Sequence, residues 1–466
     1  MIAIIGVCAG IAVCLGLFLY VWRINNRRSI VITPFLLFAV LEMFVNWPAG
    51  IVAPMVDGSW DFYALGLMLV GFVSFLIGVL VASATLRHRA GSALEFRSAG
   101  IAASSSSSYV AGSLVLCVML LFLSLMLYRG MPPLVDSIGS ALSGSGASDA
   151  AVALGRSRQL LTKDYYFGGE YRGQGLLRQV LRVGWPFLTA ISLTMYLKSR
   201  RRSWAMLSMV WFALTFVFVA GEGTRAPFLF SIVFLVVLVS ITKPLRYGTV
   251  LGAALAFVGL MIVLSLLSPK LHWAVGQEDA VSLIGERITD RIVYGNGTNT
   301  VAIVDLVRDG RWDYRHGEVH LQHLLNAIPG VQSGVPLANQ LYQEFNPRSS
   351  ATTYATATYF GDVFLDFGPF GVVITYFLLG AFIACIQKWL FMLPRTVLNL
   401  PAVAYAIFTI GFIPLIGVVG VLAVLPVVAA IYLIPALTIK LLPKRARRGA
   451  LRLDADAGHV WHPLRG

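Results

Sequence analysis

Cysteine and charge are both scarce in this sequence. The four cysteines (Cys8, Cys14, Cys117 and Cys385) all fall in apolar runs, which argues against a disulfide framework and against a thiolate metal site. Charged residues make up only 12% of the chain, and hydrophobic residues make up 58%. A soluble protein of 466 residues could not hide that much apolar surface, so most of the chain is predicted to face lipid.

Long apolar runs recur along the chain. Each has about 17–25 residues, which is enough to cross a bilayer core as a helix, and about eleven of them are present. They lie at residues 1–22, 30–50, 62–85, 108–128, 180–197, 204–220, 226–242, 248–267, 370–392, 398–416 and 421–441. The sequence therefore predicts an all-α integral membrane protein, a polytopic bundle with a large, partly helical external loop.

The polar segments divide the predicted bundle into parts. The parts are four helices in 1–128, an external loop at 129–179, four helices in 180–267, a large external loop with a re-entrant or interfacial segment at 268–369, three helices in 370–441 and a basic tail at 442–466. Between Leu267 and Tyr354 the apolar runs stop, so this loop is the part with enough polar groups for chemistry.

Basic residues set the predicted orientation. They cluster after every second span, with a net charge of roughly +18 on the segments placed inside and roughly −4 on the rest, as the positive-inside rule expects. Topology thus explains the formal net charge of +14, and no nucleic-acid partner is predicted. The first span lacks the basic start of a secretory signal peptide and ends against Arg23. The N-terminus is therefore predicted outside and the C-terminal tail in the cytoplasm.

The short external turn Gly221–Arg225 is the first candidate for chemistry. Glu222 and Arg225 sit at the mouth of two apolar helices, where an ionised pair is costly unless it has a partner or a ligand. Arg225 opens a helix, whose N–H groups and dipole favour a phosphate. The alternative is a Glu222–Arg225 pair that only ends a hairpin.

A second candidate, Glu286–Arg291, lies in the large loop. Arg287 and Arg291 are four residues apart and would share one helix face, where two guanidinium groups could hold a pyrophosphate. Glu286 and Asp290 have the same spacing, so an exposed helix with internal ion pairs is the alternative.

The third candidate is a set of histidines, His316, His320 and His323. Their spacing of i, i+4 and i+7 predicts that all three lie on one side of a helix. Such a set could be structural, could act in acid–base catalysis or substrate binding, or could bind zinc.

An apolar run with two aspartates follows the loop. Asp362 and Asp366 are four residues apart in apolar surroundings, which makes at least one of them a functional candidate. The segment Tyr354–Asp362 predicts a re-entrant or interfacial helix, and the turn Gly368–Gly371 leads into the next span. Aromatic residues here, Tyr359 among them, fit either a lipid interface or a floor for sugar stacking.

The order of these features resembles the oligosaccharide repeat-unit polymerases, the Wzy-type polymerases of O-antigen and common antigen. The shared features are a Gly-Thr-Arg turn at Gly223–Arg225, a large external loop, and the run Gly361–Gly371 with its two aspartates. The related O-antigen ligases usually have Ser-Arg-Gly where this chain has Thr-Arg-Ala, so only Arg225 carries over. The Arg-x10-Gly repeats proposed for such polymerases are echoed once, from Arg158 to Gly169.

The resemblance implies a reaction and a place for it. A glycan growing on undecaprenyl pyrophosphate would be the donor, a single lipid-linked repeat would be the acceptor, and glycosyl transfer would occur on the periplasmic face of the bacterial inner membrane. The family is similar to the metal-independent type C glycosyltransferases, so no metal and no cofactor are expected. A chain-length regulator and a flippase are the candidate protein partners.

The resemblance also assigns roles to the candidate residues. Stabilisation of the pyrophosphate leaving group would come from Arg225, Arg287 and Arg291. Removal of the acceptor proton would fall to Asp362, Glu222, His316, His320 or His323. The predicted glycan contacts are Arg158, Tyr294 and Tyr359.

Three other functions remain open at this point. An O-antigen ligase would transfer the glycan to a different acceptor, and a membrane scaffold would need no particular loop arginines. A lipid or glycan transporter would show inverted repeats and charges near the bilayer midplane. No clear repeat is visible, and the charged residues within the predicted spans are Glu42 and Arg182, apart from Lys388 and Lys440 near the ends of their spans.

Overall fold

The fold is helical in the computed structural model, which describes residues 2–25, 31–56, 58–59, 61–86, 96–97, 100–101, 106–128, 132–133, 135, 174–222, 225–243, 245, 252, 296–328, 331, 335, 337–345 and 357–441. The helices within these ranges are α1 (Ile2–Asn25), α2 (Pro34–Val45), α3 (Trp47–Val56), α4 (Tyr63–Thr85), α5 (Ser106–Tyr128), α6 (Gln174–Ser199), α7 (Arg202–Val219), α8 (Arg225–Thr242), α9 (Asn296–Arg308), α10 (Glu318–Asn326), α11 (Leu337–Phe345), α12 (Tyr359–Met392), α13 (Asn399–Gly411) and α14 (Ile413–Leu441). A short 3₁₀ turn, Ala220–Glu222, joins α7 to α8.

Helix length and composition confirm the predicted class, an all-α polytopic membrane protein. Seven described segments are long and apolar enough to cross a bilayer, and they are Pro34–Met55, Tyr63–Thr85, Ser108–Tyr128, Gly175–Ser199, Arg202–Val219, Tyr359–Met392 and Ile413–Leu441. Shorter apolar helices cover Cys8–Tyr20, Ala226–Thr242 and Asn399–Gly411. The predicted span at 248–267 lies outside the described residues except for Gly252, so the total of about eleven spans remains a prediction.

Some helix boundaries differ from the predicted ones. The second predicted span continues to Val56, with Asn46 between α2 and α3. The predicted span 398–416 is wrong at its C-terminal end, because α13 ends at Gly411 and the residues from Ile413 belong to α14. Gly417 then interrupts α14 with φ 68° and ψ 169°, a backbone conformation that is essentially restricted to glycine.

Helix α12 packs extensively against α4, and two glycines bring their backbones into contact. A Cβ atom added to Gly78 would lie 2.0 Å from the carbonyl oxygen of Phe377, and one added to Gly380 would lie 2.0 Å from that of Phe75. Small residues at such crossings let membrane helices gain close van der Waals packing. The crossing therefore fixes α12 against the N-terminal half of the bundle.

Gly78→Ala is expected to destabilise the protein, because the new methyl group would overlap the carbonyl of Phe377. Overpacking of this kind costs about 1–3 kcal/mol. Gly66→Ala is the matched control in α4, since a Cβ atom there meets nothing within 4 Å. Thermal unfolding in detergent should give a lower midpoint for Gly78→Ala only, and equal midpoints for the two variants would refute the close crossing.

One end of the bundle gathers the loops that were predicted to be inside. The guanidinium group of Arg395 donates to the backbone carbonyl oxygens of Arg97 and Ile241, the latter at 3.5 Å. The Ile32 N–H group donates to Ser240 Oγ at 3.2 Å. These contacts join four segments that the charge pattern places on one side of the membrane.

The opposite end gathers loops that were predicted to be outside. Arg308, at the end of α9, forms an ion pair with Asp61, and its guanidinium group lies 5.1 Å from the ring centroid of Tyr63 at the start of α4. Helix α9 also packs against α3 and α12. The described part of the large loop is thus attached to the bundle at this end.

A break at Gly368 divides α12 into a short helix and a long apolar helix. Gly368 has φ 66° and ψ −167°, and Pro369, which cannot donate a backbone hydrogen bond, follows it. The turn predicted at Gly368–Gly371 is confirmed only as a break at Gly368, because residues 369–371 are already helical. The segment from Tyr359 to Phe367 before it is helical and mostly buried, while its depth in the membrane remains a prediction.

Candidate functional site

The N-terminus of α10 lies against α12, where Asp366 caps it. Gly317, the N-cap residue, has φ 97° and no side chain that could cap the helix. The Asp366 carboxylate instead accepts hydrogen bonds from the backbone N–H groups of Val319 and His320, each at 3.0 Å. A carboxylate is favoured there because the first N–H groups of a helix lack partners and carry positive potential. Asp366 therefore fixes α10 on α12.

The same carboxylate holds the imidazole ring of His320. His320 Nδ1 lies 2.5 Å from Asp366 Oδ2, and the Asp366 side chain is 0% exposed while that of His320 is 25% exposed. The ring packs between Tyr359 and Phe367, with centroid distances of 5.7 Å and 5.6 Å. Because a carboxylate accepts hydrogen bonds, the neutral tautomer that fits this contact carries its hydrogen on Nδ1 and has its lone pair on Nε2. His320 is thus oriented as a proton acceptor.

A second histidine–carboxylate pair lies beside the first. His323 Nδ1 is 3.6 Å from Asp362 Oδ2, and the Asp362 side chain is 10% exposed. We call His320, His323, Asp362 and Asp366 the His–Asp cluster. Its histidines are three residues apart on α10 and its aspartates four apart on α12, so each pair lies on one face of its helix.

The pKa of His323 is lowered by burial, and His320 lowers it further, while Asp366 acts in the opposite direction. His323 is therefore neutral at pH values where an ordinary histidine is already partly protonated.

The contribution of His323 to the stability of the protein is expected to fall as the pH drops below about 6.5, the ordinary histidine pKa, because unfolded His323 then binds a proton more readily than native His323. The contribution of His323 to the free energy of unfolding is fully present above the ordinary histidine pKa. It is lost as the pH falls through the lowered pKa of native His323. Thermal midpoints in detergent at about pH 7.5 and 5.5 should differ more for the wild type than for His323→Asn.

The Arg308–Asp61 ion pair does not disturb this comparison. Arg308 lowers the pKa of Asp61, so the stabilisation that this ion pair provides is lost only at pH values below the ordinary pKa of an aspartate. If the His323→Asn variant loses as much stability on acidification as the wild type, the assignment to His323 is wrong.

His316 does not share the helix of the other two histidines. It has φ 50° and precedes the left-handed Gly317, so it lies before the first residue of α10. The prediction that all three imidazoles lie on one side of a helix is therefore wrong for His316. The reason is that α10 starts at Glu318, where Asp366 caps it. His316 instead lines a surface cleft with Tyr314 and Arg315.

A buried hydrogen-bonded group inside the bundle is connected to the His–Asp cluster through Tyr359. Tyr359 stacks on Tyr376 at a centroid distance of 6.4 Å, and the Tyr376 hydroxyl donates to Glu42 Oε1 at 3.1 Å. Asn46 Nδ2 also donates to Glu42 Oε1, at 2.7 Å. Glu42 is 0% exposed, and its partners are Tyr376 on α12 and Asn46 at the end of its own helix, α2. Glu42 is thus connected through two tyrosines to His320.

A groove of about 240 Å³ lies between α6, α8, α13 and α14. Arg182 and Gln179 give it polar lining, and the rest of its lining is largely aromatic and aliphatic. Aromatic members include Phe230 and Phe412, whose ring centroids are 4.9 Å apart. A polar group beside an apolar slot has the shape of a site for an amphiphile.

The groove and the His–Asp cluster lie close together. Ile416 lines the groove, and its neighbour Gly417 lies against the ring of Tyr359, where an added Cβ atom would be 3.6 Å from Cδ2. Tyr359 in turn packs edge-on against His320. Tyr359 thus connects the groove with His320.

The remaining predicted site residues fall at helix ends or outside the described part of the chain. The 3₁₀ turn ends at Glu222 and α8 begins at Arg225, as the sequence predicted, although the positions of these two side chains are not described. The predicted site residues outside the described chain are Arg158, Arg287, Arg291 and Tyr294.

Sequence reasoning placed Asp362 among the proton acceptors and did not assign Asp366 to a partner. The structure gives Asp366 the shorter histidine contact and both backbone hydrogen bonds. The i, i+4 spacing of the two aspartates was the signal, but it could not identify their partners on another helix. Within the described ranges, no three His, Cys, Asp or Glu residues are grouped to hold a metal ion, and a metal-free reaction remains a prediction.

Comparison with known proteins identifies a family. A family model described as "Putative O-antigen polymerase" matches residues 175–423, more than half of the 466 residues. The matched region includes the groove helix α6, the Arg225 turn and all four residues of the His–Asp cluster. No curated protein and no solved structure matches the chain. The match confirms the resemblance and indicates a glycosyltransferase-like enzyme that acts on glycans, so this multi-pass membrane protein belongs to the O-antigen polymerase family.

Proposed function

We propose that this protein polymerises oligosaccharide repeat units carried on undecaprenyl pyrophosphate. The growing chain is the donor, and a single lipid-linked repeat is the acceptor. The observation that carries the proposal is the His320–Asp366 pair, which is held next to an amphiphile-shaped groove in a member of this family.

The proposed reaction is one glycosyl transfer. The bond between the anomeric carbon of the donor and the lipid pyrophosphate breaks, and the pyrophosphate leaves with the electron pair. A bond forms between that carbon and a hydroxyl oxygen of the acceptor, whose proton passes to His320 Nε2. Asp366 holds the ring in the required tautomer and stabilises the imidazolium ion that forms.

The orientation of its ring makes His320 the strongest proton acceptor among the candidates. Asp366 holds the ring at 2.5 Å, and a quarter of the His320 side chain is exposed. The His323 side chain is more exposed, at 38%, but its Nδ1 lies 3.6 Å from the almost fully buried Asp362, which is too long for a hydrogen bond. Asp362 and His323 are therefore proposed to keep the cluster polar and in place, and His320 to take the proton.

The lining of the groove is consistent with a lipid-linked substrate. Its apolar walls suit a polyprenyl chain, and Arg182 supplies positive charge for a phosphate group. Arg225 begins α8, and Pro227 in the first turn of the same helix lines the groove, so the helix N-terminus adds favourable potential for an anion. Arg287 and Arg291 are proposed to complete the pyrophosphate contacts. Arg158 and Tyr294 are proposed to contact the glycan, and Tyr359 to form its floor beside His320.

The cluster is proposed to lie on the periplasmic face of the bacterial inner membrane, with the N-terminus outside and the C-terminus in the cytoplasm. The grouping of predicted inside loops around Arg395 and of predicted outside loops around Arg308 supports the alternation of spans. The excess of basic residues on the Arg395 side supports its assignment as cytoplasmic.

The direct test is reconstitution of the purified protein with lipid-linked repeat units extracted from the producing cells. A polymerase yields a ladder of products that differ by one repeat, and the ladder should form without nucleotide sugar or ATP. Transfer only when lipid A core is supplied would identify a ligase. The absence of any product under both conditions would refute the proposed glycosyl transfer.

A further inference from the structure

An external cleft beside the His–Asp cluster has the chemistry of an oligosaccharide site. It is built from the connection between α9 and α10, from α10 itself and from α11, and Arg315 lines three adjoining cavities of about 450, 310 and 270 Å³. Trp312 lines the first two cavities and Gln340 the last two. The largest lies within the range of ligand pockets, about 300–1,000 Å³.

Backbone hydrogen bonds hold the α9–α10 connection in place. The N–H groups of Arg311 and Trp312 both donate to the Leu306 carbonyl oxygen at 3.0 Å, and the Arg315 N–H group donates to the Leu365 carbonyl oxygen at 2.9 Å. The backbone of the cleft is therefore preformed, so less conformational entropy is lost when a ligand binds.

Polar and aromatic side chains line the cleft in fixed positions. Arg315 Nη2 donates to Gln340 Oε1 at 2.6 Å, and its guanidinium carbon lies 5.3 Å from the ring centroid of Trp312. Arg311 forms an ion pair with Glu344. The set thus offers an aromatic ring, hydrogen-bond donors and hydrogen-bond acceptors together, which matches a ligand with apolar faces and many hydroxyl groups.

The charge balance of the cleft argues against an anionic ligand. Among the described residues that line it, Arg311 and Arg315 are the cations, and Asp313, Glu318 and Glu344 are the carboxylates. This described lining offers a pyrophosphate no net positive field, whereas uncharged hydroxyl groups can both donate to the carboxylates and accept from the guanidinium groups.

The cleft continues from the reaction site. The backbone N–H group of Arg315 donates a hydrogen bond to the carbonyl oxygen of Leu365, the residue before Asp366. Tyr314, which lines the largest cavity and is 40% exposed, lies against the break in α12, where a Cβ atom on Gly368 would be 3.1 Å from its ring. A glycan whose reacting end is at His320 would extend along this surface.

We propose that the cleft around Trp312, Arg315 and Gln340 binds the growing polysaccharide several sugars away from the reacting end. This assignment rests on the proposed polymerase function and extends it with a site for the product chain. Such a site keeps the chain on the enzyme between transfers, so its loss shortens the polymer while single transfers continue.

The test uses the purified full-length protein and two readouts. The binding probe is polysaccharide released from the lipid of the producing cells by mild acid, followed by saturation-transfer NMR. The activity readout is the length distribution of products made from lipid-linked repeats. Trp312→Ala is expected to weaken polysaccharide binding about tenfold, as truncation of a central aromatic contact does, and to shift products to short chains with the first transfer retained.

Several variants keep the test decisive. Trp389→Ala, at a 55% exposed tryptophan on α12, is the matched control and should leave both readouts unchanged. Arg315→Lys keeps the charge and loses the planar stacking and fork geometry, so it should resemble Trp312→Ala. If Trp312→Ala does not fold, Trp312→Phe and Gln340→Leu replace it, and both should give shorter products.

The outcomes separate this proposal from the proposed function. Unchanged binding and unchanged chain length in both the Trp312 and Arg315 variants would overturn the cleft assignment, as would a wild-type protein that does not bind the released polysaccharide. If the wild type binds the polysaccharide through Trp312 but makes no ladder, the polymerase function fails while the glycan site stands.

Discussion

His320→Ala is expected to reduce polymer synthesis by about 10²- to 10⁴-fold, the usual contribution of a positioned general base. The expectation rests on geometry, since Asp366 holds Nδ1 at 2.5 Å and the other ring nitrogen is left to accept a proton. The acceptor hydroxyl group is a weak nucleophile without such a base. Product formation from lipid-linked repeats, measured under single-turnover conditions, gives the size of the loss.

Leu324→Ala is the matched control for this experiment. Leu324 lies on the same helix and is 47% exposed, so its truncation should leave the ladder unchanged. Gel filtration and the thermal midpoint of both variants check that the protein remains folded. A His320→Ala protein that is folded and makes polymer at the wild-type rate would remove His320 from the reaction, and His323 would become the next candidate.

Asp366→Ala is expected to cause a loss of similar size and, in addition, a loss of stability. The carboxylate orients His320 and also caps α10 through the N–H groups of Val319 and His320. Loss of a helix cap costs about 1 kcal/mol, and more is expected here because the carboxylate also joins two segments of the chain. Activity and thermal midpoint should therefore both fall.

Asp366→Asn separates the two roles. The amide oxygen can still accept from a backbone N–H group, so the thermal midpoint should fall less than in Asp366→Ala. Its NH₂ group favours the wrong histidine tautomer, so activity should remain low. The double variant His320→Ala/Asp366→Ala should be about as inactive as His320→Ala, because the two residues act as a unit. Full additivity of the two losses would contradict the coupling.

Local patterns carried the prediction of the membrane-spanning fold. A run of about 20 apolar residues must satisfy its own backbone hydrogen bonds in lipid, so hydropathy predicts a helix without knowledge of its neighbours. The break at Gly368 was also predictable, because glycine followed by proline interrupts a helix by local sterics. The end of α13 at Gly411 was not predicted, because the chain stays apolar beyond this residue and hydropathy does not change there.

The sequence predicted which residues the candidate site contains, but it did not predict which of them contact each other. Two aspartates at i, i+4 and three histidines at helical spacing were visible in the sequence, but the helix start at Glu318 depends on a carboxylate from α12. That cap excludes His316 from the helix and chooses Asp366 over Asp362 as the closer partner of His320. The Trp312 cleft was missed for the same reason, because its lining comes from α11 as well as from the α9–α10 connection.

The sequence by itself determined the class of this protein, the course of most of its spans and the resemblance to its family, because hydropathy, charge bias and short motifs act along the chain. Only the tertiary structure decided which residues meet. His320 and Asp366 are 46 positions apart, and Tyr376 meets Glu42 across 334 positions. Such pairs depend on helix packing, including the backbone contact at Gly78 and Gly380, and no local propensity encodes that packing.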